Sequence, residues 1–243
     1  MKLLAIDTSM QACSVAVFVN DDTLEIFSVY EEIERGHAER LMSMVDEALA
    51  KSGLTIKQID RFAVCRGPGT FTGVRIGIAA ARGLALACKK PLTGIGTLQV
   101  LAGRVLFEQP DLAKLAQTGQ QAELCIAVDA RRGEIYWQCF DLTAQPLADP
   151  LALTPQNVVA AISERGHFSI LAGSGADIVG QGLADAGIAF AIAAKSLQPD
   201  ATRLADIVAA SGNDEFLLQQ SATPLYLRPA DAKIQTGYAV ERQ

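Results

Sequence analysis

Short apolar runs and one helically spaced segment divide the first fifty residues of the chain. Residues 2–8, 13–19 and 23–30 are mostly apolar and are separated by short polar turns, which predicts three successive antiparallel strands. In residues 37–50 the apolar positions recur at i, i+3, i+4, i+7 and i+8, the spacing of one buried helical face. The pattern therefore predicts a three-stranded meander followed by an amphipathic helix.

A glycine-rich loop separates the next strand from the next helix. Residues 61–65 have the composition of a buried strand, which ends at Gly67-Pro68-Gly69. A second helix is predicted to begin at residue 71 or 72 and to end near 88, and a further strand is predicted at 92–95. Thr97 is placed to N-cap a third helix that ends near residue 107.

The second half of the sequence opens as the first half does. A strand that ends in Asp129 leads through a turn into a second strand, as does the strand that ends in Asp7. Two such openings, about half the chain apart, indicate a duplicated fold with two related α/β lobes. The later elements are predicted as a helix, a strand and two helices at residues 155–164, 168–172, 178–186 and 202–210.

These elements predict two unequal domains. Residues 1–107 are expected to form the first lobe, and residues 108–212 a smaller second lobe, because the helices predicted there are short. The segment 213–243 contains a short extended stretch bounded by prolines. We expect that segment to pack back onto the first lobe.

The composition indicates that the chain binds a partner, and it argues against strong binding to nucleic acid. Half of the 243 residues are apolar and only 20% are charged, which is more apolar surface than a single chain of this size needs to bury. The formal net charge is −6, and neutralising phosphates requires lysine and arginine. Strong binding to nucleic acid by this chain alone is therefore not expected.

The sequence also limits the expected compartment. The first apolar run contains four residues before Asp7, too few for a signal peptide or a membrane span, so a cytoplasmic protein without membrane contact is expected. The five cysteines are odd in number and form no CxxC motif. They are interpreted as buried reduced thiols.

The first candidate for chemistry is Asp7-Thr8-Ser9, at the end of the first predicted strand. A carboxylate there can face a cleft between lobes and hold a metal-bound phosphate, or it can cap an Asx turn.

The segment from Gly67 to Gly73 is the second candidate. It can bind an anion before a helix N-terminus, or it can form a tight turn. No lysine follows it in P-loop spacing.

The sequence contains no motif for metal-dependent or nucleophilic catalysis. His37 and His167 are the only histidines, and neither lies in an HxxxH or HExxH pattern. No GxSxG elbow supports a catalytic serine. A zinc enzyme is therefore not expected, and no metal site is predicted.

Two helices carry the predicted partner surface. The helix at residues 71–88 has only two charged residues and small residues on every side, so a second helix or another subunit must cover it. Ala38 and Met42 widen the apolar face of the first helix. On this hypothesis, glutamate at both Met42 and Ala81 leaves the fold intact and abolishes association. The predicted interface residues are Ala38, Met42, Val45, Leu49, Phe71, Arg75, Ile78, Ala81 and Arg82.

Several motifs together resemble one family. They are Leu4-Ala-Ile-Asp-Thr-Ser9, Cys13-Ser-Val-Ala16, Arg66-Gly-Pro-Gly-Thr-Phe-Thr-Gly-Val-Arg-Ile-Gly77, Gly83-Leu-Ala85, Gly96-Thr-Leu98, Asp129-Ala-Arg-Arg-Gly-Glu-Ile-Tyr136 and Leu225-Tyr-Leu-Arg228. In these motifs, over nearly the whole chain, the sequence resembles the TsaB (YeaZ) family. The resemblance implies the ASKHA fold, which is actin-like and sugar-kinase-like, duplicated in two lobes of which the second is reduced.

The resemblance also implies a function and partners. TsaB-like proteins are non-catalytic subunits that act with a TsaD-like paralogue and a TsaE-like ATPase. Together they transfer threonylcarbamoyl to the adenosine 3′ to the anticodon of tRNAs that read ANN codons. The family uses the same two helices for the TsaD contact and for a homodimer. TsaD-like relatives hold a metal through an HxxxH segment, whereas here His37 has no second histidine four positions on.

For cofactors, the implication is that the isolated chain binds no nucleotide tightly and that ATP or ADP belongs to the assembled complex. Asp7, Thr8 and Ser9 are then a vestigial nucleotide site, and tRNA is bound only through the complex. Two alternatives remain open. One is an ASKHA-fold enzyme, either glycopeptidase-like or a small-molecule kinase, and the other is a stand-alone tRNA-binding module that uses small basic spots such as Arg131-Arg132.

Overall fold

A computed structural model describes residues 1–21, 23–112, 121–211 and 222–228 of the chain. The strands of the first half are β1 Lys2–Asp7, β2 Ala12–Asn20, β3 Leu24–Glu32, β4 Arg61–Cys65 and β5 Leu92–Ile95. Its helices are α1 His37–Ser52, α2 Phe71–Cys88 and α3 Thr97–Glu108, with a 3-10 turn at Ile56–Gln58. The strands of the second half are β6 Ala122–Asp129, β7 Ile135–Phe140, β8 Leu151–Leu153, β9 Phe168–Ala172 and β10 Phe190–Ala194. Its helices are α4 Pro155–Arg165, α5 Ala176–Asp185 and α6 Ala201–Ala210.

The two halves have the same order of elements and the same sheet topology. Each described half runs βββαβαβα, and the sheet orders are β3-β2-β1-β4-β5 and β8-β7-β6-β9-β10. In each sheet the first three strands are antiparallel and the remaining two are added in parallel. The predicted duplication into two α/β lobes is confirmed, and the helices of the second lobe are the shorter ones.

The elements stack in five layers. Helices α1 and α2 cover the outer face of the first sheet, and α4 and α5 cover the outer face of the second. Helices α3 and α6 lie between the two sheets and contact each other. Each of these two inner helices packs mainly against the sheet of the opposite half. Leu101 of α3 lies in a core cluster with β6 and β9, and Leu204 of α6 lies in one with β1 and β4.

The sequence prediction missed three short elements and misplaced one cap. Strands β8 and β10 were not predicted, nor was the short 3-10 turn. Thr97 is the first residue of α3 rather than its N-cap, and Gly96 occupies the cap position. The Thr97 hydroxyl instead donates to Ser9 Oγ at 3.1 Å, so a tertiary contact takes the place of the predicted cap.

Helix α2 is long and apolar enough to cross a membrane by length and composition alone. Within the described structure one side of it is part of the core. Gly73, Gly77 and Ala81 face the first sheet, together with larger residues such as Val74 and Ile78. Small residues on this side allow the helix backbone to lie close to the sheet, as in a core helix of a globular protein.

Residues 222–228 contact both halves. The Leu225 amide donates to the Arg66 carbonyl at 2.7 Å, and Ala222 is buried in the core beneath α1 and α2. The Arg228 guanidinium pairs with Glu134, in the turn between β6 and β7 of the second sheet, and donates to the Arg131 carbonyl. The rest of the predicted segment 213–243 lies outside the described residues, and the domain boundaries at 107 and 212 stay predictions.

Candidate functional site

Asp7 ends β1 at the centre of the first sheet, where neighbouring strands bury it completely. One carboxylate oxygen, Oδ1, accepts hydrogen bonds from the backbone amide of Ser9 at 3.2 Å and from the Ser9 hydroxyl at 2.7 Å. The Ser9 hydroxyl in turn accepts from Thr97 at the start of α3. Asp7 therefore closes an Asx turn, one of the two geometries that the sequence left open.

Burial dominates the electrostatics of this carboxyl group. Its pKa is raised because burial disfavours the charged form, and the hydrogen bond from the Ser9 hydroxyl only partly offsets this. The pKa of the neighbouring Cys65 thiol is raised well above its usual value, first by burial and then by the charge of Asp7. The second carboxylate oxygen, Oδ2, has no hydrogen-bond partner among the described residues.

The glycine-rich loop closes over the backbone of Thr8 and Ser9. A Cβ atom on Gly69 would lie 2.1 Å from the Ser9 carbonyl oxygen, and one on Gly73 would lie 2.1 Å from the Thr8 carbonyl oxygen. The Thr8 hydroxyl donates to the Gly73 carbonyl at 2.7 Å. The glycines therefore allow close backbone packing, so the loop has the tight-turn geometry and holds the start of α2 against Asp7-Thr8-Ser9.

The second lobe has a more open version of the same arrangement. Asp129 ends β6 with its side chain 31% exposed, and Arg131 lies 3.8 Å from it as an ion-pair partner. The Asp129 amide donates to the Ser174 hydroxyl at 3.0 Å. A Cβ atom on Gly173 would lie 2.4 Å from the Ala127 carbonyl oxygen, so this glycine also serves close packing.

These contacts restrict what the site can do chemically. A phosphotransferase needs an accessible carboxylate and donors that are free to bind phosphate. Asp7 is enclosed, and the start of α2 faces the Thr8 and Ser9 carbonyl oxygens, while the Thr70 hydroxyl caps the Gly73 amide. Among the described residues, the group of three metal-ligating side chains that lie close together is Glu123, Cys125 and Cys139, on the second sheet away from Asp7.

The structure separates the predicted interface residues into two sets. Those exposed on α1 and α2 are Ala38, Met42, Phe71, Arg75 and Arg82, and those buried in the protein's own core are Val45, Leu49, Ile78 and Ala81. The buried side chains face the first sheet and do not reach the surface. The expectation that glutamate at Ala81 leaves the fold intact is therefore corrected, because the substitution would place a charge in that core.

Two exposed residues near this surface were not predicted. Leu86 on α2 is 80% exposed, and Tyr226 stacks with Phe71 at a centroid distance of 6.0 Å. The Arg75 guanidinium lies 3.1 Å from the centre of the Phe71 ring. Leu86 follows Arg82 by four residues, so the sequence alone could have placed both on one face of α2. No pattern in the sequence places Tyr226 beside α2.

Comparison with known proteins agrees with this architecture. The family model described as "TsaD: tRNA N6-adenosine threonylcarbamoyltransferase" matches residues 29–229. The structure of YeaZ from Pseudomonas aeruginosa superimposes with a TM-score of 0.71 at 32% identity, covering 93% of this chain and 99% of that one. A second structure, described as similar to peptidase YEAZ from the same organism, has a TM-score of 0.73.

Curated relatives match a shorter part of the sequence. The TsaB protein of Escherichia coli K12 is 42% identical over 137 residues, and that of Haemophilus influenzae is 39% identical over 137 residues. The alignments span about half the length of these relatives, 54% and 52% respectively. Both relatives carry the name tRNA threonylcarbamoyladenosine biosynthesis protein.

The duplicated two-lobed fold, with an aspartate at the end of each lobe's first strand, defines an α/β protein of the ASKHA class. Within that class, the full-length match to YeaZ and the names of the relatives identify the branch. This chain belongs to the TsaB (YeaZ) family.

Proposed function

We propose that this chain is a non-catalytic subunit for threonylcarbamoyl transfer to the adenosine 3′ to the anticodon of ANN-reading tRNAs. Its partners are a TsaD-like paralogue, which performs the transfer, and a TsaE-like ATPase. The family membership supplies the pathway. The observation that carries the non-catalytic role is the enclosure of Asp7 by the Ser9 turn and the glycine-rich loop.

The enclosed site also supports a proposal about nucleotide. Two backbone donors near the start of α2 are already used within the chain, because the Thr70 amide donates to the Ser9 carbonyl at 2.8 Å and the Gly73 amide donates to the Thr70 hydroxyl at 3.1 Å. The isolated chain therefore binds ATP or ADP weakly or not at all, and nucleotide belongs to the assembled complex. Calorimetric titration of the isolated chain with ATP tests this, and an affinity in the micromolar range contradicts it.

The exposed apolar residues on α1 and α2 support the partner surface. Met42 is 45% exposed and Phe71 is 62% exposed, on neighbouring helices that share one core cluster. Phe71 stacks with Tyr226, which is 50% exposed, and a contiguous exposed apolar patch of this kind is typical of a protein–protein interface. We assign to this surface both the TsaD-like paralogue and a second copy of this chain, so that heterodimer and homodimer exclude each other. Mixing the chain with excess paralogue and measuring mass by light scattering tests this, and a persistent homodimer contradicts it.

A cytoplasmic location and indirect tRNA contact complete the proposal. The net charge of −6 disfavours strong tRNA binding by this chain alone. A tRNA titration at near-physiological salt, with and without the paralogue, separates the two cases. Tight binding by the isolated chain would favour the stand-alone tRNA-binding module instead.

A leave-one-out reconstitution tests the main proposal. The chain, the TsaD-like paralogue, the TsaE-like ATPase and an ANN-reading tRNA are combined with the threonylcarbamoyl adenylate. Modified adenosine is then measured by mass spectrometry of the digested tRNA. Product is expected with all three proteins, and none is expected when this chain is omitted or used alone. Transfer, phosphorylation or peptide hydrolysis by this chain alone would establish the enzyme alternative.

A further inference from the structure

Two cysteines face each other across the second sheet. Cys125 on β6 and Cys139 on β7 are paired in the antiparallel register, and their sulfur atoms lie 2.8 Å apart. Both side chains are fully buried in the layer between the sheet and helices α4 and α5. The spacing of the two cysteines along the chain does not show this pairing, because it depends on the register of the strands.

A buried carboxylate completes the group. Glu123 lies two residues before Cys125 on the same face of β6, and its Oε1 atom is 3.7 Å from Cys125 Sγ and 3.6 Å from Cys139 Sγ. Its Oε2 atom accepts a hydrogen bond from Arg165 Nε at 2.6 Å, and His167 Nδ1 lies 3.5 Å from the same oxygen. One oxygen therefore faces the sulfurs and the other faces two basic groups.

The chemistry and charge of this group fit a thiophilic divalent cation. Zn²⁺ binds thiolate sulfur at about 2.3 Å and carboxylate oxygen at about 2.0–2.2 Å. A tetrahedral site with those bonds holds sulfur and oxygen about 3.5 Å apart and two sulfurs about 3.8 Å apart. The sulfur–oxygen distances already match, and the sulfurs must separate by about 1 Å. Two thiolates, one carboxylate and a divalent cation leave one negative charge, which Arg165 balances.

A fourth donor and an access route are also present. The Ser169 hydroxyl on β9 lies 3.9 Å from Cys125 Sγ and can complete a tetrahedral set. Arg165 and His167 are partly exposed and lie beside the fully buried Glu123. These two side chains therefore need to move for a cation to reach Glu123 from solvent. Arg165 and His167 also fix the orientation of the Glu123 carboxylate, as outer-shell partners do in known metal sites.

We infer that Glu123, Cys125 and Cys139 form a structural binding site for a thiophilic divalent cation such as Zn²⁺. The cation cross-links β6 and β7 beneath α4 and α5. This site departs from the sequence expectation that the chain holds no metal. It is independent of the proposed function, because it lies on the outer face of the second sheet and uses none of the residues of α1 and α2.

Cadmium titration tests the site, because its bonds to thiolate give an ultraviolet charge-transfer absorption. The chain is purified anaerobically with reductant and chelator, freed of both, and titrated with Cd²⁺ and then with Zn²⁺ in competition. Tight binding of a single ion is expected for the unmodified chain. Cys125→Ala and Cys139→Ala should each weaken binding by more than about 100-fold, since loss of outer-shell partners alone costs about 10–100-fold. Cys88→Ala, at a half-buried cysteine outside the site, is the matched control and should bind normally.

Thiol labelling of the unmodified, native chain keeps the inference testable if a variant fails to fold. All four of Cys13, Cys65, Cys125 and Cys139 are buried, so the rate of labelling by a thiol reagent is compared with and without Cd²⁺ and resolved by peptide mapping. Bound Cd²⁺ should slow the labelling of Cys125 and Cys139 more than that of Cys13 and Cys65, which lie outside the site. Binding no tighter than in Cys125→Ala overturns the inference. So does a Cys125–Cys139 disulfide in protein taken directly from cells, which would show that the pair serves as a redox cross-link instead.

Discussion

Asp7 and Asp129 accept the same hydrogen bond in the two halves of the chain. In each case Oδ1 accepts from the backbone amide two residues later, which is Ser9 at 3.2 Å in the first half and Arg131 at 2.8 Å in the second. The duplicated turn has thus kept its backbone geometry. The surroundings differ, because Asp7 is enclosed and hydroxyl-bonded whereas Asp129 is partly exposed beside an arginine.

Asp7→Asn should change how stability depends on pH. The folded protein holds the Asp7 proton more tightly than the unfolded chain, because burial raises the pKa from its usual 3.8. The stability that Asp7 contributes is therefore fully present below pH 3.8 and is lost as the pH rises through the raised pKa. Urea unfolding from acidic to neutral pH should show the unmodified chain losing stability relative to the variant.

Asp129→Asn is the matched control for that experiment, since Asp129 accepts the same backbone hydrogen bond but its side chain is 31% exposed. The same Asp7→Asn protein should support threonylcarbamoyl transfer in the reconstituted complex, because Asp7 holds a turn rather than a substrate. Loss of transfer by a variant that folds would contradict the non-catalytic assignment.

Gly73→Ala and Gly83→Ala should have opposite effects, although both lie within α2. The added methyl at Gly73 would lie 2.1 Å from the Thr8 carbonyl oxygen, and overpacking of this kind costs about 1–3 kcal/mol or more. At Gly83 nothing lies within 4 Å, so alanine should stabilise the helix by about 0.5–1 kcal/mol. Denaturant unfolding of both variants measures the difference. Equal effects would mean that Gly73 does not pack against the Thr8 carbonyl as described.

Met42→Glu combined with Phe71→Glu should prevent association without unfolding the chain. Both side chains are exposed, and glutamate at the first position of α2 is favourable to the helix. Light scattering should show a monomer, and binding to the TsaD-like paralogue should be lost. The matched control is Leu151→Glu with Ile178→Glu, at similarly exposed positions of the second lobe (44% and 45%), which should associate normally. If the control and the test variant behave alike, the surface has been placed wrongly.

The Arg228–Glu134 pair should contribute a small coupling between the C-terminal segment and the second sheet. Arg228 also donates to the Arg131 carbonyl at 2.8 Å, and both members of the pair are partly exposed. A double-mutant cycle with alanine should give about 0.2–1 kcal/mol, decreasing with added salt. The more exposed pair Lys195–Asp177 is the control and should give less.

Local sequence patterns predicted the elements better than they predicted the contacts between elements. Strands β5 and β9 were predicted to the residue, since each is an apolar run with a clear boundary on both sides. Strand β10 was missed, because its alanine-rich sequence Phe190–Ala194 has little strand character of its own and depends on pairing with β9.

At the candidate sites too, local geometry was predicted better than contacts between distant parts of the chain. The Asx turn at Asp7 was one of two geometries that the sequence allowed, because it depends on residues two positions apart. The enclosure of Asp7 was not predictable, since it depends on Gly69 and Gly73 packing against Ser9 and Thr8, which are sixty or more residues away along the chain. Cys125 and Cys139 were interpreted as separate buried thiols, because only the strand register shows that they are neighbours.

The position of α6 has a consequence for synthesis on the ribosome. The inner face of the first sheet, with Leu3, Ala63 and Cys65, is covered by residues of Ala201–Ala210, near the end of the described chain. When the first half emerges, Val100 of α3 is in place, but most of the cover of that face is missing until α6 has also been made. Until α6 is made, the N-terminal half therefore exposes an apolar sheet surface to which a holding chaperone can bind, and we expect that half to be unstable when it is expressed alone.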